Sequence, residues 1–206
     1  MKKSMTVTYE VENGLYINIT NRCSNRCEFC IRNNGDGAYG SDSLWLLREP
    51  TREEILESVF SRDLSKYKEV VFCGYGEPTY RLEDAAFVAK EIKKACPTLP
   101  VRINTNGQSD LILGCDSSEL YKDAFDVVSI SLNTPNSKKY AEICHPVYKE
   151  AAYSAMLEFA KNVNKYVQSV VFSVVRETLT EHELSECEKI ARDVGATLKI
   201  RDYISP

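Results

Sequence analysis

Leu15-Tyr16-Ile17-Asn18-Ile19-Thr20-Asn21-Arg22-Cys23-Ser24-Asn25-Arg26-Cys27-Glu28-Phe29-Cys30 is the stretch around which the chain is arranged. A β-type run from Leu15 to Thr20 delivers the backbone into a polar turn that holds three thiols at positions n, n+4 and n+7. On a helix those positions share one face, which would make the cysteines small core residues. The intervening Ser24, Asn25, Arg26, Glu28 and Phe29 make no such stripe, and the triplet falls directly after a strand. Three thiolates from one short loop can each take one iron of a [4Fe–4S] cube, leaving the fourth iron without a protein ligand. A metal with an open position can do chemistry, as catalytic zinc sites do and closed structural ones do not.

At 206 residues with 43% apolar content, the chain is expected to bury one full core over 1–206 as a single domain. A net charge of −4 gives no global signature for nucleic acid or anionic membrane, although a local basic groove stays open. Met1-Lys2-Lys3-Ser4-Met5-Thr6 has two lysines but no apolar segment behind them, and no run of 18 apolar residues occurs. A cytoplasmic protein with no membrane partner is expected. With no export signal, the eight cysteines are expected to be reduced. Cys73, Cys96, Cys115, Cys144 and Cys187 are scattered without CxxC pairing, so they indicate small core residues rather than a second cluster.

Outward from the cysteine loop, a Gly/Asp/Ser-rich stretch runs from Arg32 to Arg48 and carries Trp45; loops this long are usually lids or binding loops. Thr51 and Glu54 form a capping box that opens a helix with Ile55, Val59 and Phe60 on its apolar face. Further strands are expected at 69–73, 101–104, 125–132, 167–175 and 196–202. Helices are expected at about 82–94, 117–122, 137–143, 149–164 and 181–194. Six strands alternating with helices give an α/β protein built from parallel βαβ units. Either an open doubly wound sheet or an incomplete (β/α)6 barrel fits, and periodicity does not separate them.

Conspicuous polar residues sit where strands end: the three cysteines, then Gly74-Tyr75-Gly76-Glu77-Pro78, then Asn104 to Gly107, then Ser131 and Asn133, then Arg176 and Glu177. In parallel α/β folds the carboxyl ends of the strands open on one face, so these residues are expected to form one site. Glycines let backbone approach a ligand closely, Glu77 offers an acceptor for an ammonium group, and Asn, Ser and Arg suit hydroxyl and carboxylate groups. His145 in Cys144-His145-Pro146 reads as a helix break, and His182 as a solvated helix-start residue. Asp36 and Asp42 offer a cation site that nothing requires, and Trp45 with the Gly35–Ser43 loop is placed to close over substrate.

Cys23-Ser24-Asn25-Arg26-Cys27-Glu28-Phe29-Cys30 resembles the CxxxCxΦC signature of the radical S-adenosylmethionine (SAM) enzymes, with Phe29 as the aromatic residue. The resemblance spans nearly the whole chain and implies an incomplete (β/α)6 barrel of six parallel strands with outer helices. It implies that Cys23, Cys27 and Cys30 hold a [4Fe–4S] cluster whose fourth iron is chelated by SAM. An electron then splits the sulfonium into methionine and a 5′-deoxyadenosyl radical that abstracts hydrogen from substrate. Gly74-Tyr75-Gly76-Glu77 is similar to the family's GGE motif, with Tyr75 in place of the second glycine. Asn104, Asn106 and Gly107, then Ser131 with Asn133, then Arg176, look like the later strand-end contacts to SAM. An electron donor such as flavodoxin or ferredoxin is implied.

Within that superfamily the chain most resembles the small TatD-associated proteins, through GYGEPTYR at 74–81, RINTNG at 102–107 and YAEICHP at 140–146. That likeness implies a functional link to a TatD-type nuclease and names no reaction. Three enzyme outcomes share the chemistry: a glycyl-radical activating enzyme acting on a protein partner, a small-molecule mutase or synthase like 7-carboxy-7-deazaguanine synthase, or a nucleic-acid modifier. From another class, a zinc- or iron–sulfur-stabilised binding module is the alternative to an enzyme.

Overall fold

Short apolar runs alternating with amphipathic helices dictate a sheet covered by helices, and the computed structural model, which describes residues 2–202, has that form. Its seven strands are β1 (Thr8–Val11), β2 (Gly14–Ile17), β3 (Glu69–Phe72), β4 (Val101–Thr105), β5 (Val127–Ser131), β6 (Ser169–Val175) and β7 (Thr197–Arg201). The helices are α1 (Arg52–Phe60), α2 (Leu82–Ala95), α3 (Ser109–Leu113), α4 (Ser137–Cys144), α5 (Ala151–Val163) and α6 (Glu181–Asp193). All six expected strands form, and the expected capping box at Thr51 and Glu54 starts α1. A second box, Thr180 with Glu183, starts α6.

The strand count is corrected from six to seven. β1 pairs antiparallel with β2, joined at Glu12, whose φ of 52° turns the chain. The alternation Val7-Thr8-Tyr9-Glu10-Val11 before the turn Glu12-Asn13 is a hairpin signature ahead of the first expected strand. The helix expected at 117–122 is a 3₁₀ turn over Ser118–Tyr121, and α3 was not expected.

The spatial order β1-β2-β3-β4-β5-β6-β7 follows the sequence, and every pair from β2 to β7 is parallel. A doubly wound sheet needs a point where the order reverses. Here it never reverses, so right-handed crossovers lay all the helices on one side. The sheet therefore curls as an incomplete barrel.

Its convex face carries Ile17, Phe72, Ile103, Ile130 and Phe172 into a core shared with Ile55 of α1, Val88 of α2, Phe159 of α5 and Cys187 of α6. Alternation sends the intervening residues to the concave face, and these are mainly polar: Arg102, Asn104, Ser129, Ser131, Ser173 and Arg201. Among the described residues no helix is long and apolar enough to cross a membrane.

Candidate active site

The cysteine loop leaves β2 through Asn18, Ile19 and Thr20 and is braced on three sides. The turn after β3 meets it first. The Glu77 backbone N–H donates to Arg22 O at 2.7 Å. A Cβ on Gly76 would run into the Thr20 and Arg22 carbonyls, and one on Gly74 would run into Asn18 Oδ1. Close backbone approach, the reason for expecting glycine here, thus has a partner inside the protein itself.

The turn after β4 is the second brace. Asn106 Nδ2 donates to Ser24 Oγ at 2.7 Å, and Gln108 Nε2 donates to Asn25 Oδ1 at 2.8 Å and to Tyr140 Oη at 3.1 Å. Asn25 Nδ2 in turn donates to the same Tyr140 hydroxyl at 3.1 Å. Gly107, at φ 75°, turns the backbone between these groups.

The third brace is the end of α4. Arg26 N donates to Cys144 O at 2.9 Å, Glu28 N to Ile143 O at 3.0 Å, and Val147 N to Ser24 O at 2.8 Å. His145 caps α4 in the left-handed conformation, φ 43°, and its Nε2 lies 3.3 Å from Glu28 Oε1. It is a helix break, as expected, with an added contact to the loop. His182 is solvated beside Glu186.

All three loop thiols are half-buried. Burial pushes Cys23 up to about 12, with the Glu77 charge adding to it. A hydrogen bond with Cys144 and then burial push Cys27 up, and burial pushes Cys30 up. Such thiols favour the neutral form until a cation compensates the thiolate. Among the described residues, no three His, Cys, Asp or Glu side chains gather closely enough for one ion. A structural zinc needs four donors converging on a point. A cubane takes each thiolate on a different iron, a donor set that three thiols on one loop can supply.

Glu77 is 4% exposed and bridges two strand ends. Its Oε1 accepts from Thr79 N and Oγ1 at 3.2 and 2.8 Å, and its Oε2 accepts from Asn106 N at 2.6 Å. Burial pushes its carboxyl up, and these donors act against that rise. The Thr105 hydroxyl adds to these three, so all of the carboxylate's roughly four lone-pair sites meet donors inside the protein.

A cavity of about 230 Å³ opens on the concave face, lined by Phe29, Asn104, Ser131 and Asn133 among the expected residues, together with Cys73, Ser129 and Arg201. Asn133 sits at φ 63° and its Nδ2 donates to Cys144 Sγ at 3.3 Å. Gly74, Gly76 and Glu77 are not among its lining residues, and three further expected residues also stand elsewhere. Tyr75 buries its ring under the long loop, 5.1 Å from the Trp45 ring, and its hydroxyl donates to Gly35 O at 3.0 Å. Asn106 is buried as a brace. Arg176 lies on the surface with Glu181 at 4.0 Å, because the chain turns away after β6.

The arginine that reaches the cavity is Arg201 of β7. Its signal was the alternation Leu198-Lys199-Ile200-Arg201, whose apolar members pack on the helix side. Gln108 lies outside every quoted motif and Tyr140 opens YAEICHP with no role assigned to it, so their contacts reveal what they do.

The 32–48 stretch is well packed. Ala38, Leu44 and Tyr75 form a small second core with Tyr9, and Leu46 is fully buried. Asp36 accepts from the Lys2 backbone N–H at 2.6 Å. Of the other cysteines, Cys144 and Cys187 are core residues as expected. Cys115 is exposed, and Cys73 lines the cavity.

Comparison with known proteins agrees with this arrangement. The chain is 26% identical over 191 residues to molybdenum cofactor biosynthesis protein 1 of Dictyostelium discoideum, covering 92% of this chain and 28% of the relative. It is 27% identical over 194 residues to a probable GTP 3′,8-cyclase of Methanocaldococcus jannaschii, covering 93% and 59%. The chain therefore spans only part of the length of these relatives. Among solved structures, SuiB of Streptococcus suis bound to precursor peptide SuiA superposes with a TM-score of 0.66 at 18% identity, over 93% of this chain and 39% of SuiB. Methylornithine synthase (PylB) superposes at 0.63 and 14%, over 93% and 53%. Residues 17–190 match the radical SAM superfamily. With its cysteine loop and the turns after β3 and β4 inside that match, the chain belongs to the radical SAM superfamily, enzymes that use a [4Fe–4S] cluster and S-adenosylmethionine.

Proposed function

We propose that this enzyme reductively cleaves SAM and uses the resulting radical to abstract hydrogen from a substrate held on the concave face, with Cys23, Cys27 and Cys30 as the cluster ligands. One observation carries the reading: the loop bearing the three thiols is clamped by the ends of β3, β4 and α4, and its Phe29 borders the polar cavity. When bound, cluster and SAM supply the electron and the sulfonium whose C5′–S bond breaks to give methionine and a 5′-deoxyadenosyl radical.

The chain's own residues position and shield. Asn106, Gln108 and Tyr140 hold the loop, so the thiols are presented in one geometry. Glu77 supplies the negative charge that pairs with the SAM ammonium. Asn104, Ser131 and Asn133 face the cavity with groups suited to ribose hydroxyls and carboxylate. Trp45 and Tyr75 pin the long loop beside the cysteine loop, which limits water access.

A reductant of the flavodoxin or ferredoxin type supplies the electron. GTP, the substrate named for several curated relatives, is the first compound to offer. The TatD-associated likeness belongs to the same proposal: GYGEPTYR, RINTNG and YAEICHP are the segments that supply the three braces of the cysteine loop.

Anaerobic reconstitution tests the reading. About four irons per chain and dithionite-dependent release of 5′-deoxyadenosine are expected. One zinc per chain with no cleavage of SAM would replace the enzyme with a metal-stabilised binding module.

A further inference from the structure

We propose that Arg201 forms an oxyanion site on the concave face, which holds a carboxylate or phosphate group of the substrate. The inference rests on the radical SAM reading above and names the class of substrate it serves.

Register places the guanidinium. Arg201 pairs with Val175 of β6, and its neighbours Leu198 and Ile200 pack against the helix-side core. Strand alternation therefore turns Lys199 and Arg201 to the opposite face. Arg201 reaches past β6 to β5, where its Nη2 lies 3.4 Å from Ser129 Oγ.

Charge pairing makes this arginine unlike the other one on that face. Arg102 is held by Glu69 through Nε at 2.9 Å and Nη2 at 2.6 Å, a two-point pair that neutralises it. For Arg201, no carboxylate among the described residues lies within ion-pair distance. A guanidinium has five N–H donors in a planar fork shaped for carboxylate or phosphate. Among the described residues its side chain makes one long hydrogen bond, to Ser129, from a half-buried position.

Location and surrounding chemistry agree. Arg201 and Phe29 line the same cavity, so an anion on Arg201 would sit in the chamber that the cluster loop borders. Ser129, Ser131, Ser173 and Asn104 add hydroxyl and amide donors beside it, and among the described residues no carboxylate lines that cavity. Strand alternation puts a second cation, Lys199, on the same face of β7. The competing occupant is the carboxylate of SAM itself, and the test separates the two.

Cluster-loaded protein saturated with SAM is titrated calorimetrically with inorganic phosphate, pyrophosphate and malonate. Saturable binding of at least one is expected, and phosphate against malonate tells which oxyanion the site prefers. Arg201→Gln should weaken that binding about tenfold or more, Arg201→Lys should retain part of it, and SAM affinity should stay within about twofold in both. Absence of saturable anion binding, or binding that Arg201→Gln leaves unchanged, overturns the site. Loss of SAM affinity in Arg201→Gln overturns it in favour of a SAM contact. Failure of the parent reading shows separately, as loaded protein that binds anions through Arg201 yet releases no 5′-deoxyadenosine with dithionite.

Discussion

Asn106 Nδ2 lies 2.7 Å from Ser24 Oγ, and through this bond the turn after β4 grips the loop that carries the three thiols. The backbone N–H of the same residue donates to Glu77 Oε2 at 2.6 Å, so one asparagine joins three strand ends. Both bonds are buried, where a group left unpaired costs its full desolvation. Asn106→Ala should destabilise the apoprotein by about 1–3 kcal/mol in denaturant titration. It should also lower iron incorporation although every cysteine is present. Full iron loading at wild-type stability would mean the loop holds its shape without this brace.

Cys27 and Cys115 give opposite expectations. Cys27→Ala removes one corner of the proposed cluster, and reconstituted protein should lack the cubane absorption and electron paramagnetic resonance signal. Cys115 is exposed and outside the site, so Cys115→Ala should load normally. A complete cubane in Cys27→Ala would contradict the ligand assignment.

Glu77 combines two roles that substitution can separate. Glu77→Ala strips the acceptor from Thr79 and Asn106 and should cost about 2 kcal/mol in stability. Glu77→Gln keeps an acceptor oxygen while removing the charge. It should fold and load iron, yet bind SAM about tenfold more weakly by calorimetry. Unchanged SAM affinity in Glu77→Gln would remove this carboxylate from the SAM site.

Gly76 and Gly74 both lack room for a methyl group, but their obstacles differ. At Gly76 the obstacle is backbone, the carbonyls of Thr20 and Arg22; at Gly74 it is the Asn18 side chain. Backbone yields less, so Gly76→Ala should lose about 1–3 kcal/mol and more than Gly74→Ala. Thermal melts in which Gly74→Ala is the worse variant would show that Asn18 is the stiffer neighbour.

Asp84 at the start of α2 links helices through acid-sensitive pairs. Its carboxylate takes Arg52 at 2.5 Å and Arg81 at 2.6 Å. Burial pushes the carboxyl up, but the two guanidiniums outweigh it and hold the group below the ordinary aspartate range. A depressed folded-state value stabilises the protein above the unfolded value and loses that contribution as pH falls through the folded one. The stability gap between wild type and Asp84→Asn should therefore be complete near neutral pH and shrink from about pH 5 downward. A gap that stays constant on acidification would show that the pairs add nothing.

The sequence by itself determined the α/β class, the six parallel strands and the loop that presents the thiols. Those features are local: apolar runs, capping boxes such as Thr51 with Glu54, and cysteine spacing are all written within a few residues. Even β1 was legible, since two alternating segments flank the short turn Glu12-Asn13. The tertiary structure decided what depends on residues far apart in the chain. Order without reversal chose an incomplete barrel over a doubly wound sheet, and sheet order is a relation among all strands at once. Contacts placed Gln108 and Tyr140 against Asn25, gave Tyr75 to the long loop rather than the cavity, and left Arg176 outside while Arg201 entered. No spacing encodes these outcomes, because a side chain's role is set by what the folded backbone brings within about 3 Å of it.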